Sequence, residues 1–121
     1  MKDSKRQTAR LRREGLSVEP IELEHETVLV LCGEFDLTGV EAFTDAVSGI
    51  APETSIVLDM RKLSFLDSSG LGALVQLYRR ACAEGWSPMV VGPQPPVALL
   101  LRLSGLDECL TIVDGTPQRL S

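Results

Sequence analysis

Apolar and polar positions change rhythm several times along this chain, and each change marks an element. Residues 18–24 alternate, with Ile21 and Leu23 set against Glu22 and Glu24. That two-residue period predicts an edge strand with one wet face. His25-Glu26-Thr27 reads as a tight turn, and the run Val28-Leu29-Val30-Leu31-Cys32 is apolar on both faces, as a central strand is. Two strands this close predict a hairpin. Gly33-Glu34-Phe35-Asp36 closes the second strand. Asp36 or Thr38 then caps a helix carrying Val40, Phe43, Ala46, Val47 and Ile50, which Pro52 stops.

The second half repeats the alternation of strand and helix. Residues 55–60 form another doubly apolar strand. Residues 71–84 follow with a helical stripe of Leu71, Leu74, Val75, Tyr78 and Cys82. Arg79 and Arg80 suit the negative end of that helix, and Gly85 suits the left-handed position beyond it. Met89-Val90-Val91 predicts a third buried strand, and the turn at residues 93–96 opens a helix with Pro96 in its first turn. On its wheel Val97, Leu100, Leu101 and Ser104 share a face, while Leu99 points away beside Arg102. Gly105 ends this helix, residues 110–113 read as a last strand, and Thr116-Pro117 opens a short final helix cut by Ser121. The order after the hairpin is βαβαβαβ. It predicts a single α/β domain over residues 16–121, with a mixed, mostly parallel sheet, right-handed crossovers and helices packed on it.

Composition sharpens this picture. At 121 residues, 44% of them apolar, the chain has material for one sizeable core, and with 4% aromatics that core is aliphatic. The net charge is −5, but residues 1–13 hold six basic side chains and one acid. This leaves 6 basic and 16 acidic residues in the other 108, a charge of −10. A body so acidic is unsuited to nucleic acid and suits a basic protein partner. Residues 1–15 are aperiodic and read as a flexible, solvated basic tail; the sharper reading is an arm drawn to an anionic membrane or nucleic acid. The longest apolar runs, 28–32 and 97–101, are too short to cross a bilayer, and no apolar segment follows the basic residues as in a secretory signal. Cys32, Cys82 and Cys109 are odd in number and lack a C-x-x-C pair, so buried, reduced thiols of a cytoplasmic protein are expected.

The chemistry gathers at Phe65-Leu66-Asp67-Ser68-Ser69-Gly70-Leu71-Gly72, where strand passes to helix. Asp and Ser at such a join can cap the free N–H groups, and the helix dipole places partial positive charge beside the hydroxyls. Four uses fit this arrangement: a plain cap, a phosphate cradle, a nucleophile elbow or a phosphorylation site. An elbow needs G-x-S-x-G and a base, but the only His, His25, lies in the predicted hairpin turn. A P-loop needs a Lys that Gly70-Leu71-Gly72-Ala73 does not supply. Carboxylates are scattered, so no metal or other cofactor is expected.

Residues 18–113 resemble the STAS domain, and within it the bacterial anti-sigma factor antagonists. Gly33-Glu34-Phe35-Asp36 is similar to that family's G-E-hydrophobic-D, and residues 56–72 to its strand followed by D-S-[ST]-G-L-G. Leu103-Ser104-Gly105-Leu106 is similar to its S-G-L. The resemblance implies a non-enzymatic regulator whose Ser68 is phosphorylated by a partner kinase, Ser69 being the lesser candidate. That kinase doubles as the anti-sigma factor, and a metal-dependent serine phosphatase reverses the mark. The unphosphorylated form would bind the kinase and free the sigma factor. Glu34, Asp36, Asp67, Ser68, Ser69, Gly70 and Leu71 are the expected contact residues, and Leu99 joins them if it is more than a lone exposed leucine. A weak homodimer fits the same frame. The competing implication is a STAS module that is never phosphorylated, serving as a scaffold or transport-complex subunit. The basic extension and the short C-terminus depart from the family pattern.

Overall fold

The computed structural model describes residues 15–114; the basic tail and the expected helix at Thr116-Pro117 lie outside them. Strand β1 (Leu16–Glu22) turns into β2 (Glu26–Phe35), followed by α1 (Leu37–Ser48), β3 (Ser55–Leu66) and α2 (Ser68–Glu84). Then come β4 (Met89–Val91), α3 (Pro95–Leu103), a 3-10 turn at Leu106–Glu108 and β5 (Thr111–Val113). The five strands lie in chain order in one sheet; β1 pairs antiparallel with β2, and every later pair is parallel. Three successive crossovers step in the same direction. With the usual right-handed twist this lays α1, α2 and α3 on the same face. The core lies beneath them, where Leu29, Leu31, Phe35, Ile56, Leu58, Met60, Leu63 and Val90 are wholly buried. The expected mixed sheet opened by a hairpin is therefore the observed one.

Several elements differ in extent, each for a reason outside its own sequence. β1 starts at Leu16 because Leu16 is buried against Gly39 and pairs with Gly33. Ile21 and Leu23, expected on the dry side, are 44% and 52% exposed. The hairpin turn tightens at Leu23, whose N–H donates to the Glu26 carbonyl at 2.8 Å, so Glu26 and Thr27 belong to β2. β3 continues six residues past Met60 through the polar stretch Arg61-Lys62-Leu63-Ser64. Two register shifts against β2, at Val30/Cys32 and at Gly33/Glu34, change its rhythm. The buried residues there are Met60, Leu63 and Leu66, spaced by three rather than two. Such a bulged strand carries no period-two signal for sequence to display.

Helix α2 is also turned on its axis. Its buried residues are Gly70, Leu74, Leu77 and Ala81, with Leu71, Val75 and Tyr78 half-buried and Cys82 exposed. The cysteines correct the expectation of buried thiols: Cys32 and Cys82 are exposed and Cys109 is intermediate. Cys32 falls near the end of β2 beside the first register shift, and Cys82 lies one step past the buried Ala81. Hydrogen bonding to Cys82, with a further contribution from Cys109, pushes the Tyr78 hydroxyl up to about 12. Neither Arg79 nor Arg80 lies in the last turn of α2, and Arg80 is engaged elsewhere. Arg80 donates to the Val47 and Ile50 carbonyls at 2.8 Å each and to Glu84 at 3.1 Å, tying α2 to the end of α1.

Asp59 supplies a testable contribution in β3. The Arg61 guanidinium donates to its carboxylate at 2.8 and 3.0 Å, the Arg61 backbone N–H at 3.1 Å. The Arg61 side-chain bond is the main cause holding the Asp59 carboxyl below its ordinary value of 3.8. A carboxyl whose folded pKa is depressed stabilises the fold above its unfolded pKa, and that help is lost as pH falls through the folded value. Asp59→Asn should therefore lower the thermal midpoint at pH 7, and the gap to wild type should close on titration below about pH 4. A gap that stays constant from pH 7 to pH 2 would show that the charge is irrelevant.

Candidate functional site

The site grows out of one pair of register partners. Phe35 ends β2 and Leu66 ends β3, and they lie side by side in the parallel ladder. The next residue on each strand is an aspartate, and each aspartate caps the helix that follows. Asp36 accepts from the Thr38 N–H at 3.0 Å and the Thr38 hydroxyl at 2.6 Å. Asp67 accepts from the N–H groups of Ser69 at 2.9 Å and Gly70 at 3.2 Å. Two helix N-termini thus open onto one rim. The bond from Thr38, chiefly that of its hydroxyl, holds the Asp36 carboxyl below its usual range, so it stays charged at neutral pH.

Ser68 is the first residue of α2 and is exposed, and among the described residues its hydroxyl has no hydrogen-bond partner. With Asp67 already capping the helix, that hydroxyl is not needed to hold the turn. Ser69 is half-buried and turned toward α1, where it lines a groove of about 670 Å3 with Leu37, Val40, Phe43, Val47 and Ala73. Gly70 is buried, and nothing larger fits. A Cβ there would lie 2.5 Å from Leu66 Cδ1 and 2.8 Å from the Phe35 carbonyl oxygen. This contact seats the helix against the strand ends, and the Asp67 N–H reinforces it by donating to the same carbonyl at 3.3 Å.

Of the residues singled out from sequence, Glu34, Asp36, Asp67, Ser68, Ser69, Gly70 and Leu71 all come together at this rim. Glu34 is exposed and Leu71 half-buried. Leu99 stands 44% exposed on α3, whose buried residues are Val97 and Leu101. Two residues were missed. Leu37, the first of α1, is 72% exposed, and Phe65, two before Asp67, is 45% exposed. Neither has a polar or periodic signal in the sequence; only their uncovered area beside the caps distinguishes them. Among the described residues no cluster of His, Cys, Asp and Glu could hold a metal ion, and no helix is long and apolar enough to cross a membrane.

The sequence model of the family described as "Mlab, STAS domain" matches residues 21–114. The chain belongs to the STAS-domain family. An anti-sigma F factor antagonist of Paenibacillus polymyxa is 38% identical over 66 residues, which cover 54% of this chain and 56% of that protein. One of Lysinibacillus sphaericus is 32% identical, over 67% of this chain and 73% of the other. The anti-sigma factor antagonist SpoIIAA, solved in its unphosphorylated form, superposes with a TM-score of 0.71 at 25% identity, covering 86% of this chain and 92% of that one. The Bacillus cell fate determinant SpoIIAA, solved in the phosphorylated form, gives 0.67 at 25% identity, over 86% and 96%. This STAS domain therefore carries its strand-to-helix signature on the fold of SpoIIAA.

The two glycines of the signature should respond oppositely to alanine. Helix propensity favours alanine by about 1 kcal/mol at both. At Gly72 a Cβ meets nothing within 4 Å, so Gly72→Ala should stabilise by about 0.5–1 kcal/mol in urea unfolding. At Gly70 the collision outweighs that gain, and Gly70→Ala should destabilise by about 1–3 kcal/mol. Equal effects at the two positions would show that packing against Phe35 and Leu66 does not seat α2.

Proposed function

We propose that this STAS domain is an anti-sigma factor antagonist that regulates transcription by partner switching, with Ser68 as its phosphorylated residue. In this reading the unphosphorylated protein binds a serine kinase that is also the anti-sigma factor, and so releases the sigma factor. Phosphorylation of Ser68 blocks that binding, and a metal-dependent serine phosphatase restores it. The protein itself is not an enzyme and acts in the cytoplasm, where kinase and sigma factor are found. The observation that carries the reading is the exposed Ser68 hydroxyl, unengaged because Asp67 does the capping.

Physical chemistry supports a switch without refolding. A phosphoserine adds about −1.5 to −2 charges, and a helix N-terminus is where a fold tolerates them best. That the Bacillus protein SpoIIAA has been solved phosphorylated, on a fold this chain shares, is consistent with this. The same charge would fall among Glu34, Asp36 and Asp67 and beside the exposed Leu37 and Phe65. A partner covering those apolar side chains would have to strip water from the phosphate, and an unpaired charge buried in that way costs several kcal/mol. Ser69 is the poorer acceptor, being half-buried in the groove between α1 and α2.

Ser68→Ala should stay folded and bind the ADP-loaded kinase as wild type does, whether or not ATP is supplied. Ser68→Asp should fold equally well and bind at least about tenfold more weakly, a loss of roughly 1.4 kcal/mol. Calorimetric titration measures both, with phosphopeptide mapping of wild type after incubation with ATP. Phosphate on Ser69 alone overturns the site. Equal affinity of the phosphorylated and unphosphorylated proteins overturns the mechanism and favours a scaffold.

The partner surface is proposed to extend to Leu99 on α3. Leu99→Glu should leave the melting temperature within about a degree or two, as an exposed substitution does, while weakening kinase binding. Unchanged affinity would mark it as an isolated exposed leucine.

A further inference from the structure

The face of the sheet turned away from the three helices is apolar, and among the described residues no helix lies on it. Side chains alternate along β2, so Leu29 and Leu31 enter the core while Val28 and Val30 point the other way. The strand registers set Ile21, Val28, Val57 and Met89 in one row across that face. Glu19, Val30, Asp59 and Val91 form the next. A trough of about 570 Å3 runs over both rows, from Ile21, Leu23 and Glu26 to Val113. At one end the hairpin holds Glu19, Glu22, Glu24 and Glu26, a stretch without Lys or Arg. Among the described residues only Glu24 of these four has an ion-pair partner, His25 at 3.7 Å.

We propose that this face is a second interaction surface, which takes a basic amphipathic helix of another protein. Its apolar row meets the helix's apolar stripe, and the hairpin glutamates attract the Lys and Arg residues beside that stripe. Asp59 and Arg61 do not oppose such a cover, because the guanidinium already donates to the carboxylate at 2.8 and 3.0 Å. A charge that keeps its partner loses water at lower cost than a lone one. Lys62 comes later in β3, beside Cys32 and away from the hairpin. A helix suits the surface better than an added strand does. The free edge of β1 carries Pro20 between Glu19 and Glu22, which discourages strand pairing. The face itself is five strands or about 19 Å wide, the length of three to four helical turns. The hairpin opens β2 and the Ser68 rim closes it, ten residues or roughly 30 Å away. Both surfaces can therefore be occupied at once, and this one holds its partner whatever the state of Ser68.

The test uses the full chain and a labelled helical peptide of about 18 residues, five turns, with leucines on one side and lysines on the other. A second peptide has glutamate in place of every lysine. Fluorescence anisotropy should show the lysine peptide binding at least about tenfold more tightly, the gap narrowing near 1 M salt, where the screening length is about 3 Å. Ile21→Ser/Leu23→Ser and Glu19→Lys/Glu24→Lys replace exposed side chains, so both variants should melt within a few degrees of wild type. Each should weaken lysine-peptide binding at least about fivefold. Leu103→Ser, at a leucine 73% exposed on the helix side of the sheet, should leave it unchanged. Equal binding of the two peptides, or an equal loss in Leu103→Ser, overturns the surface. Binding that appears only after residues 1–14 are removed overturns the external partner and assigns the face to the chain's own tail. Self-association of the wild type that Ile21→Ser/Leu23→Ser abolishes overturns it in favour of a second copy.

Discussion

The side-by-side ending of two parallel strands, Phe35 against Leu66, is the constraint on which the rest of the site depends. Because the strands stop together, the aspartates that follow them are neighbours, and so are the helices they cap. Gly70 then lets α2 approach until its backbone meets Phe35 and Leu66, a contact that no side chain permits. Phe35 is held from three directions: by Asp67 through its carbonyl, by Gly70 through van der Waals contact and by Phe43, whose ring centroid lies 5.0 Å away. A buried aromatic so placed couples the core to the surface. Whatever moves the end of β2 moves both caps.

That coupling explains how one hydroxyl can be free for modification in an otherwise satisfied turn. Helix N-termini need acceptors for their first N–H groups. Asp67 supplies that need for α2 from outside the helix, taking both Ser69 and Gly70. Ser68 is relieved of a structural duty, while Ser69 faces the groove toward α1. Chemically equivalent serines one residue apart thus acquire different exposure from the rotation of a single helix. The same rotation brings Leu77 and Ala81 into the core and turns Cys82 out.

The rim combines features with opposed effects on association. Leu37 and Phe65 offer apolar area that a partner can cover, while Glu34, Asp36 and Asp67 supply negative charge around it. Burial of the apolar area favours binding, and each carboxylate steers toward a basic surface. A further charge in the middle alters the balance between these terms without touching the core.

Much of this was legible in the residue order. Strand and helix alternation, the hairpin, the capped turn at Asp67 and the acidic body with its basic extension follow from local physics: periodicity, turn chemistry and charge. The resemblance of residues 33–36 and 56–72 to a known family is the source of the use proposed for the turn. Other features exist only once strands pair and helices pack. The extension of β3 through Arg61-Lys62-Leu63-Ser64 comes from pairing with a bulged neighbour, which replaces the two-residue period with one of three. The outward cysteines, the exposed Ile21, Leu37 and Phe65 and the inward Leu77 are set by which side of an element faces another. A helical wheel fixes the angles between side chains but not the zero of rotation. The close contact of Gly70 with Phe35 and Leu66, residues brought beside it by the sheet, sets that zero for α2.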